Sequence, residues 1–276
     1  MFLADYHMHT DFSPDAHFPM LEMAEAAAEK GMTQICFTDH IDIERCTRDG
    51  VYYDPDAFFP KLLPMRKAFE QLADRSSLPD LRFGIELSAV NHRPEDAKRI
   101  AACPELDFII GSVHNLRDTN DFYFLDYSDI ALCRALFRRY ITECLETVDS
   151  GSCDVLGHFG YANRYMIRQG QYVDPLEFTD EIRELFRAAV RKGIGIEVNT
   201  SGLRDALGST IPSLPVLKLY RECGGEIVTA GSDAHTPEAA GAGIREAYDL
   251  LAQAGFRYVS VFKTRRYNMI RLDKAV

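Results

Sequence analysis

The chain has 276 residues, 46% of them hydrophobic and 26% charged, which is typical of a globular protein with a substantial core. Its formal net charge of −11 disfavours non-specific binding to nucleic acid or to an anionic membrane, because such binding normally uses a basic surface. An anionic substrate is not excluded, since bound cations can reverse the sign of the local field.

Short apolar runs rich in β-branched and aromatic residues predict strands, and longer segments with a helical period lie between them. Strands are predicted at 2–7, 33–38, 81–87, 107–113, 154–159, 194–199 and 226–231. Helices are predicted at 18–31, 54–75, 129–149, 174–192 and 237–254. Pro60 and Pro64 should bend or divide the second helix, because proline removes an intrahelical hydrogen bond and clashes with the preceding turn.

The repeated alternation of strand and helix predicts an α/β fold with a parallel sheet and helical crossovers. Seven such units in 276 residues fit a single (β/α) barrel better than an open doubly wound sheet. No linker or shift in composition divides the chain, so we expect one domain over residues 1–276. The nucleotide-binding patterns GxGxxG after the first strand and GxxxxGK[ST] are absent.

The seven cysteines are odd in number and form no CxxC pair, which argues against a disulfide framework. Cys36 lies in an apolar run and is interpreted as a core thiol rather than as a ligand. No apolar stretch approaches the length of a membrane span, and the segment MFLADYHMH lacks the features of a signal peptide. We therefore expect a cytoplasmic protein with no membrane partner.

Residues that can bind metals fall where the predicted strands end. In chain order these residues are His7, His9, His40, Glu86, His114, His158, Glu197, Asn199, Asp233 and His235. The carboxyl ends of parallel barrel strands meet on one face, where barrel enzymes hold their catalytic residues. Within the pairs HMH and DAH, residues two apart on a strand point to the same side.

Each of these groups also has a structural interpretation. The HMH pair could be two polar residues at a strand end, GSDAH could be a helix N-cap, and Glu86 could belong to a buried ion pair. His114 and His158 could each be a hydrogen-bonded core histidine. The combination favours a metal site, because six of the eight histidines lie at strand ends together with acidic residues. Imidazole and carboxylate without thiolate are typical ligands of Zn²⁺, Mn²⁺ or Fe²⁺ in hydrolytic sites.

The motifs HxH, TDH, GIE, SVH, GH and GSDAH, in this order, resemble those of the PHP (polymerase and histidinol phosphatase) superfamily over nearly the whole chain. The segments GHFGYANRY and EVNTSGLR are similar to its monofunctional histidinol-phosphatase branch. The resemblance implies a distorted (β/α)7 barrel. It also implies a phosphoric monoester hydrolase of histidine biosynthesis that converts L-histidinol phosphate to L-histidinol and phosphate.

The resemblance further implies a centre of three divalent cations, with zinc, manganese and iron as the candidates. Nine residues would supply the ligands in three sets: His7, His9, Glu86 and Asp233; Glu86, His114 and His158; and Asp15, His40 and His235. Some relatives carry histidine at the position of Asp15, so an oxygen ligand here would shift the third site toward Mn²⁺ or Fe²⁺. His17 is interpreted as a loop residue beside the first helix.

In such a centre the expected nucleophile is a hydroxide that bridges two cations, because a cation can lower the pKa of water from near 16 to roughly 7. Arg164 and Arg204 follow the fifth and sixth strands and are either phosphate clamps or surface ion pairs; the resemblance favours clamps. The group that protonates the leaving alcohol is not identified; Asp42, after the second strand, and a metal-bound water are the candidates. His92 could contact substrate or have only a loop role.

Two other functions stay open at this stage. The same site could act on a nucleotide or another small phosphomonoester. The chain could instead be a non-catalytic module like some polymerase-linked relatives, although all nine ligand positions are filled and no polymerase region follows.

Overall fold

The structure is a computed structural model that describes residues 1–72 and 75–272. Its strands are β1 (Ala4–Asp5), β2 (Gln34–Phe37), β3 (His40–Asp42), β4 (Glu44–Thr47), β5 (Gly50–Tyr53), β6 (Asp80–Ser88), β7 (Phe108–Ser112), β8 (Val155–Leu156), β9 (Gly195–Asn199), β10 (Val228–Gly231), β11 (Tyr258–Lys263) and β12 (Arg266–Arg271). Its α-helices are α1 (Met20–Glu29), α2 (Phe59–Glu70), α3 (Pro94–Ala101), α4 (Ile130–Ser150), α5 (Asn163–Met166), α6 (Thr179–Lys192), α7 (Leu214–Glu222) and α8 (Ile244–Gln253).

The parallel strands form a barrel in the order β1, β2, β6, β7, β8, β9 and β10. Strand β3 lies on the same side of β6 as β2 and pairs with a later part of it, where His40 is opposite Glu86. Strand β10 lies beside β1, with a parallel bridge between Met8 and Ala234. All seven predicted strands are present, and the predicted distorted (β/α)7 barrel is confirmed.

The antiparallel β11–β12 hairpin packs against the barrel at the amino ends of the parallel strands. Phe262 of this hairpin shares a buried cluster with Tyr6, Cys36 and Phe108. The Tyr6 hydroxyl donates to Gln34 Oε1 (2.6 Å) and accepts from the backbone N–H of Phe262 (2.7 Å). Within the described residues, the hairpin side chains occupy this end of the barrel.

The helices match the sequence prediction in type and differ from it in detail. Helix α2 runs uninterrupted from Phe59 to Glu70, so Pro60 and Pro64 do not divide it. Pro60 lies in the first turn, where its missing N–H needs no partner, and Pro64 removes a single intrahelical hydrogen bond. The sequence analysis did not predict α3, α7, or the β4–β5 and β11–β12 hairpins, whose helices and strands are each at most nine residues long.

All seven cysteines are free, as predicted, and Cys36 is completely buried. Within residues 1–72 and 75–272, no helix combines the length and the apolar character that crossing a membrane requires.

Candidate metal centre

Glu86, near the end of β6, is the centre of a buried cluster of imidazoles at the carboxyl ends of the strands. Its Oε1 lies 2.7 Å from His158 Nε2 and 3.1 Å from His114 Nε2. Its Oε2 lies 3.2 Å from His7 Nε2 and 2.9 Å from His40 Nδ1. The two oxygens of one carboxylate thus face two separate groups of histidines, which is the arrangement that a bridging ligand needs.

His7, His9 and Asp233 form the first group that could hold a metal ion. The Nε2 atoms of His7 and His9 lie 3.0 Å apart, and Asp233 Oδ1 lies 3.5 Å and 3.4 Å from them. Both histidines are completely buried. Two histidines that closely follow β1 therefore meet a carboxylate that is more than two hundred residues away in sequence.

Glu86, His114 and His158 form a second group, and His9, His40 and His235 form a third. The structure thus brings His9 beside the third set as well as the first, where the sequence analysis placed it only in the first. Asp15 borders this third group, with Oδ2 3.2 Å from His235 Nε2 and 3.7 Å from His40 Nε2. His17 is exposed on the surface.

Several buried polar side chains orient these histidines. Glu197 Oε1 lies 2.6 Å from His7 Nδ1, and Glu197 Oε2 accepts from the backbone N–H of His158 (2.8 Å). His9 Nδ1 lies 3.1 Å from the Ser13 hydroxyl, which in turn donates to Asp39 (2.7 Å). These contacts turn the Nε2 atoms of His7 and His9 toward the cluster, as partners of metal-binding histidines do.

The sequence analysis placed Glu197 at a strand end without giving it a role, and it missed Ser13 and Asp39. Asp39 belongs to the TDH motif, so a signal for it was present. Backbone conformation also marks the site, because His158 and Asp233 have φ values of 24° and 53°. Such left-handed conformations are costly for non-glycine residues and concentrate at functional sites.

The charges of the cluster are strongly coupled. Burial opposes ionisation of Glu86, but His7, His40 and His114 outweigh it and hold the pKa of this carboxyl well below its usual range. Burial likewise opposes protonation of His7, but Glu197, Glu86 and Asp233 raise its pKa well above the usual value. Burial lowers the pKa of His9, with further lowering from His235 and His40. A neutral His9 has a lone pair available for a cation.

The residues present fit divalent cations. Glu86 Oε2 and His40 Nδ1 are buried and 2.9 Å apart, but they do not meet in hydrogen-bonding geometry, and neither has another hydrogen-bond partner within the described part of the chain. Buried polar atoms are normally hydrogen-bonded, so atoms left over at a cluster of this kind are candidates for metal coordination. Imidazole nitrogens with carboxylate oxygens are the donor set that zinc and manganese sites use.

A cavity of about 380 Å³ opens onto the cluster and is also lined by Arg164 and Arg204. Arg164 Nε donates to Asp205 (2.7 Å), and its Nη1 lies 3.7 Å from Asp233 Oδ2. Arg204 Nη2 donates to the Ser232 carbonyl (2.6 Å). Both arginines therefore line the cavity beside the cluster, Arg164 half-buried and Arg204 exposed to solvent. The sequence analysis missed six more residues of the cavity wall: Tyr123, Tyr161, Tyr165, Arg168, Thr236 and Ala239.

The family model of the PHP domain matches residues 5–201, well over half of the chain. The chain belongs to the PHP domain family. Its PHP match ends before Arg204, Asp233 and His235, which the barrel nevertheless brings to the same cluster.

Proteins similar to this PHP chain include named phosphatases. The histidinol-phosphatase of Lactococcus lactis subsp. lactis (strain IL1403) is 26% identical over 268 residues, which are 94% of this chain and 93% of that protein. The probable histidinol-phosphatase of Clostridium acetobutylicum is 27% identical over 262 residues, 92% and 95% of the two chains. The crystal structure of the Lactococcus lactis histidinol phosphate phosphatase, complexed with Zn, L-histidinol and phosphate, has a TM-score of 0.76 at 25% identity and covers 96% of this chain and 98% of its own.

Proposed function

We propose that this PHP-domain protein is a histidinol-phosphatase, a metal-dependent phosphoric monoester hydrolase that converts L-histidinol phosphate to L-histidinol and phosphate. The observation that supports it most is the Glu86-centred cluster, which shares one cavity with Arg164 and Arg204. Carboxylate and imidazole ligands beside two guanidinium groups suit a phosphate ester, whose oxygens need cations on several sides. The full-length similarity to histidinol-phosphatases supports the substrate.

The proposed ligands are those expected from the sequence, with three divalent cations. His7, His9, Glu86 and Asp233 would hold the first, Glu86, His114 and His158 the second, and Asp15, His40 and His235 the third. When bound, the cations supply hydroxide at neutral pH by lowering the pKa of water, and they offset the charge of the phosphate oxygens. Zinc, manganese and iron are the candidate metals.

Arg164 and Arg204 would bind the phosphate oxygens that point away from the cluster. Asp205 fixes the Arg164 guanidinium through Nε, and the Ser232 carbonyl fixes that of Arg204, which leaves other N–H groups of each free to donate. Guanidinium groups held in this way are oriented before the substrate arrives, so little conformational entropy is lost on binding.

Asp42 is a poor donor for the leaving alcohol. Burial raises the pKa of its carboxyl, but His114, His40 and Ser88 lower it below the usual value overall. An ionised carboxylate has no proton to give, and the Asp42 Oδ1 atom already accepts from the Ser88 hydroxyl (2.7 Å). A water molecule is therefore the better candidate for the proton donor.

The test is metal quantification coupled to phosphate release from L-histidinol phosphate. We expect the protein to hydrolyse L-histidinol phosphate, a chelator to abolish this activity, and added Zn²⁺ or Mn²⁺ to restore it. The reason is that the ligands cannot activate water without a bound cation. A panel of nucleoside monophosphates and sugar phosphates measures specificity, and we expect kcat/KM to favour L-histidinol phosphate at least about 100-fold. A nucleotide hydrolysed equally well would move the assignment to the second candidate function, and an inactive protein without bound metal would reject both.

Removal of the Asp15 carboxylate should cost one metal ion per chain. Asp15 contacts His235 and His40, whereas the exposed His17 lies on the surface. We expect Asp15→Ala to lose one equivalent of metal in elemental analysis and His17→Ala, the matched control, to lose none. Loss of metal in His17→Ala but not in Asp15→Ala would reverse the assignment.

A further inference from the structure

His92 lies between two carboxylates, away from the proposed metal centre. Its side chain is 3% exposed, its Nδ1 is 2.8 Å from Glu44 Oε2, and its Nε2 is 2.7 Å from Glu143 Oε2. A neutral imidazole carries only one N–H, so it can donate to only one of two ionised carboxylates. Both contacts are hydrogen bonds only when the ring is protonated.

Both carboxylates also accept hydrogen bonds from other donors. Glu143 accepts from the backbone N–H of Arg117 (2.9 Å) and from Asn91 Nδ2 (3.1 Å), and Glu44 accepts from Arg93 Nε (3.1 Å). Burial raises the pKa of Glu143, but the hydrogen bonds from His92, Arg117 and Asn91 outweigh it and lower the pKa overall. The proton of this group of residues therefore resides on His92, which is a cation between two anions.

The bridge through His92 joins separate segments of the face that carries the metal centre. Glu44 begins β4 and so belongs to the β4–β5 hairpin, His92 follows β6, and Glu143 belongs to α4 on the outside of the barrel. Glu143 also holds the loop after β7 through Arg117. Asn120 of that loop donates to the Thr47 carbonyl of β4 (2.6 Å), so the hairpin and the loop are fastened to each other as well.

The hairpin forms one wall of a second cavity of about 360 Å³, which adjoins the first. Glu44 and Cys46 contribute from the hairpin, and Asp15, His40, His114 and Tyr123 line both this cavity and the first one. If Glu44 moved away from α4, this wall would move with it. The space next to the metal centre that is available to the rest of a phosphomonoester therefore depends on a contact that does not touch the substrate.

We propose that protonated His92 is a positioning residue that fastens the β4–β5 hairpin to α4 and thereby sets the width of the second cavity. The part of this proposal that concerns the contact between the hairpin and α4 holds whatever reaction the protein catalyses. The effect of this contact on catalysis rests on the proposed function, because only then does the second cavity receive the leaving group.

The fastening is pH dependent. Burial lowers the pKa of His92, but Glu143 and Glu44 outweigh it and hold the pKa above the ordinary value of 6.5. A pKa raised in the folded state means that the bridge is complete below about 6.5 and is lost as the pH rises through the folded-state pKa. The other charged groups that face it are Arg93, Arg117 and Glu146.

Hydrogen–deuterium exchange of the metal-loaded protein tests the pH-dependent fastening of the β4–β5 hairpin without any substrate. The probe is the protection of the 44–53 segment at about pH 6 and about pH 9, corrected for the intrinsic exchange rate, with the β11–β12 hairpin as internal reference. We expect protection of 44–53 to fall about tenfold between the two pH values, the scale of one lost charged hydrogen bond, and protection of the reference to stay constant.

Two variants separate the bridge from general destabilisation. In His92→Gln, one amide cannot span both carboxylates, so 44–53 should exchange fast at both pH values. In Glu44→Gln, a neutral His92 can accept from the new amide and still donate to Glu143, so protection should stay high without a pH step. Wild-type protection in His92→Gln, or a retained pH step in Glu44→Gln, would overturn the proposal. If His92→Gln loses protection in both hairpins, it is unfolded and Glu44→Gln alone decides.

The effect of the bridge on catalysis is measured separately, by steady-state kinetics. In His92→Gln, KM for L-histidinol phosphate should rise about tenfold while kcat changes less than about twofold, because the metal centre is intact and only the cavity wall is loose. The KM of wild type should rise with pH in parallel with exchange of 44–53. If hydrogen–deuterium exchange gives the expected results but the wild type hydrolyses no L-histidinol phosphate, the fastening is supported and the proposed function is rejected. An unchanged KM in a variant with fast exchange would overturn the link to the second cavity.

Discussion

Glu86→Gln should lose at least about 10³-fold in kcat for L-histidinol phosphate, together with most of its bound metal. The substitution keeps the shape of the side chain and removes its charge. The two oxygens of Glu86 face two separate groups of histidines, so the change should weaken two cation sites at once. The measurements are phosphate release and metal equivalents per chain.

Glu95→Gln is the matched control, because the Glu95 side chain is 83% exposed and lies far from the cluster on α3. It should keep full activity and full metal content. The circular dichroism of both variants should equal that of wild type, which separates loss of the site from loss of the fold. Glu86→Gln with all its metal and activity within tenfold of wild type would contradict the bridging role.

Arg204→Ala should lower kcat/KM about 10²–10³-fold, the scale of one donor that stabilises transition-state charge. Burial disfavours the charge of this guanidinium and lowers its pKa, with Asp233 acting in the opposite direction, yet an arginine stays protonated at neutral pH. A cation that lines the cavity beside the cluster is well placed to contact phosphate. Metal content should be unchanged, which distinguishes this variant from Glu86→Gln.

Arg204→Lys should recover only part of the loss, because an ammonium group lacks the planar pair of donors that matches a phosphate. Arg134→Ala is the control, since Arg134 forms an exposed ion pair with Glu177. If Arg204→Ala retained kcat/KM within twofold, Arg204 would be a structural residue whose role is the bond to the Ser232 carbonyl.

The sequence by itself determined the barrel and predicted which residues are candidate ligands. Strands and helices leave periodic apolar patterns in short windows, and each of His7, His9, Glu86 and Asp233 stands at the end of such a window. A parallel barrel places those ends on one face, so the order of strands was enough to predict a common site. The whole-chain domain 1–276 stays a prediction, since the PHP match itself ends at residue 201.

The tertiary structure alone decided how these residues are arranged and charged. Contacts such as Glu197 with His7 or Asp39 with Ser13 join segments 190 and 26 residues apart, and no local pattern records such pairs. His92 illustrates the point, because the sequence left open a substrate contact or a loop role and the fold buried it between Glu44 and Glu143. Protonation depends on burial and on neighbouring charges, and both arise only when the barrel closes.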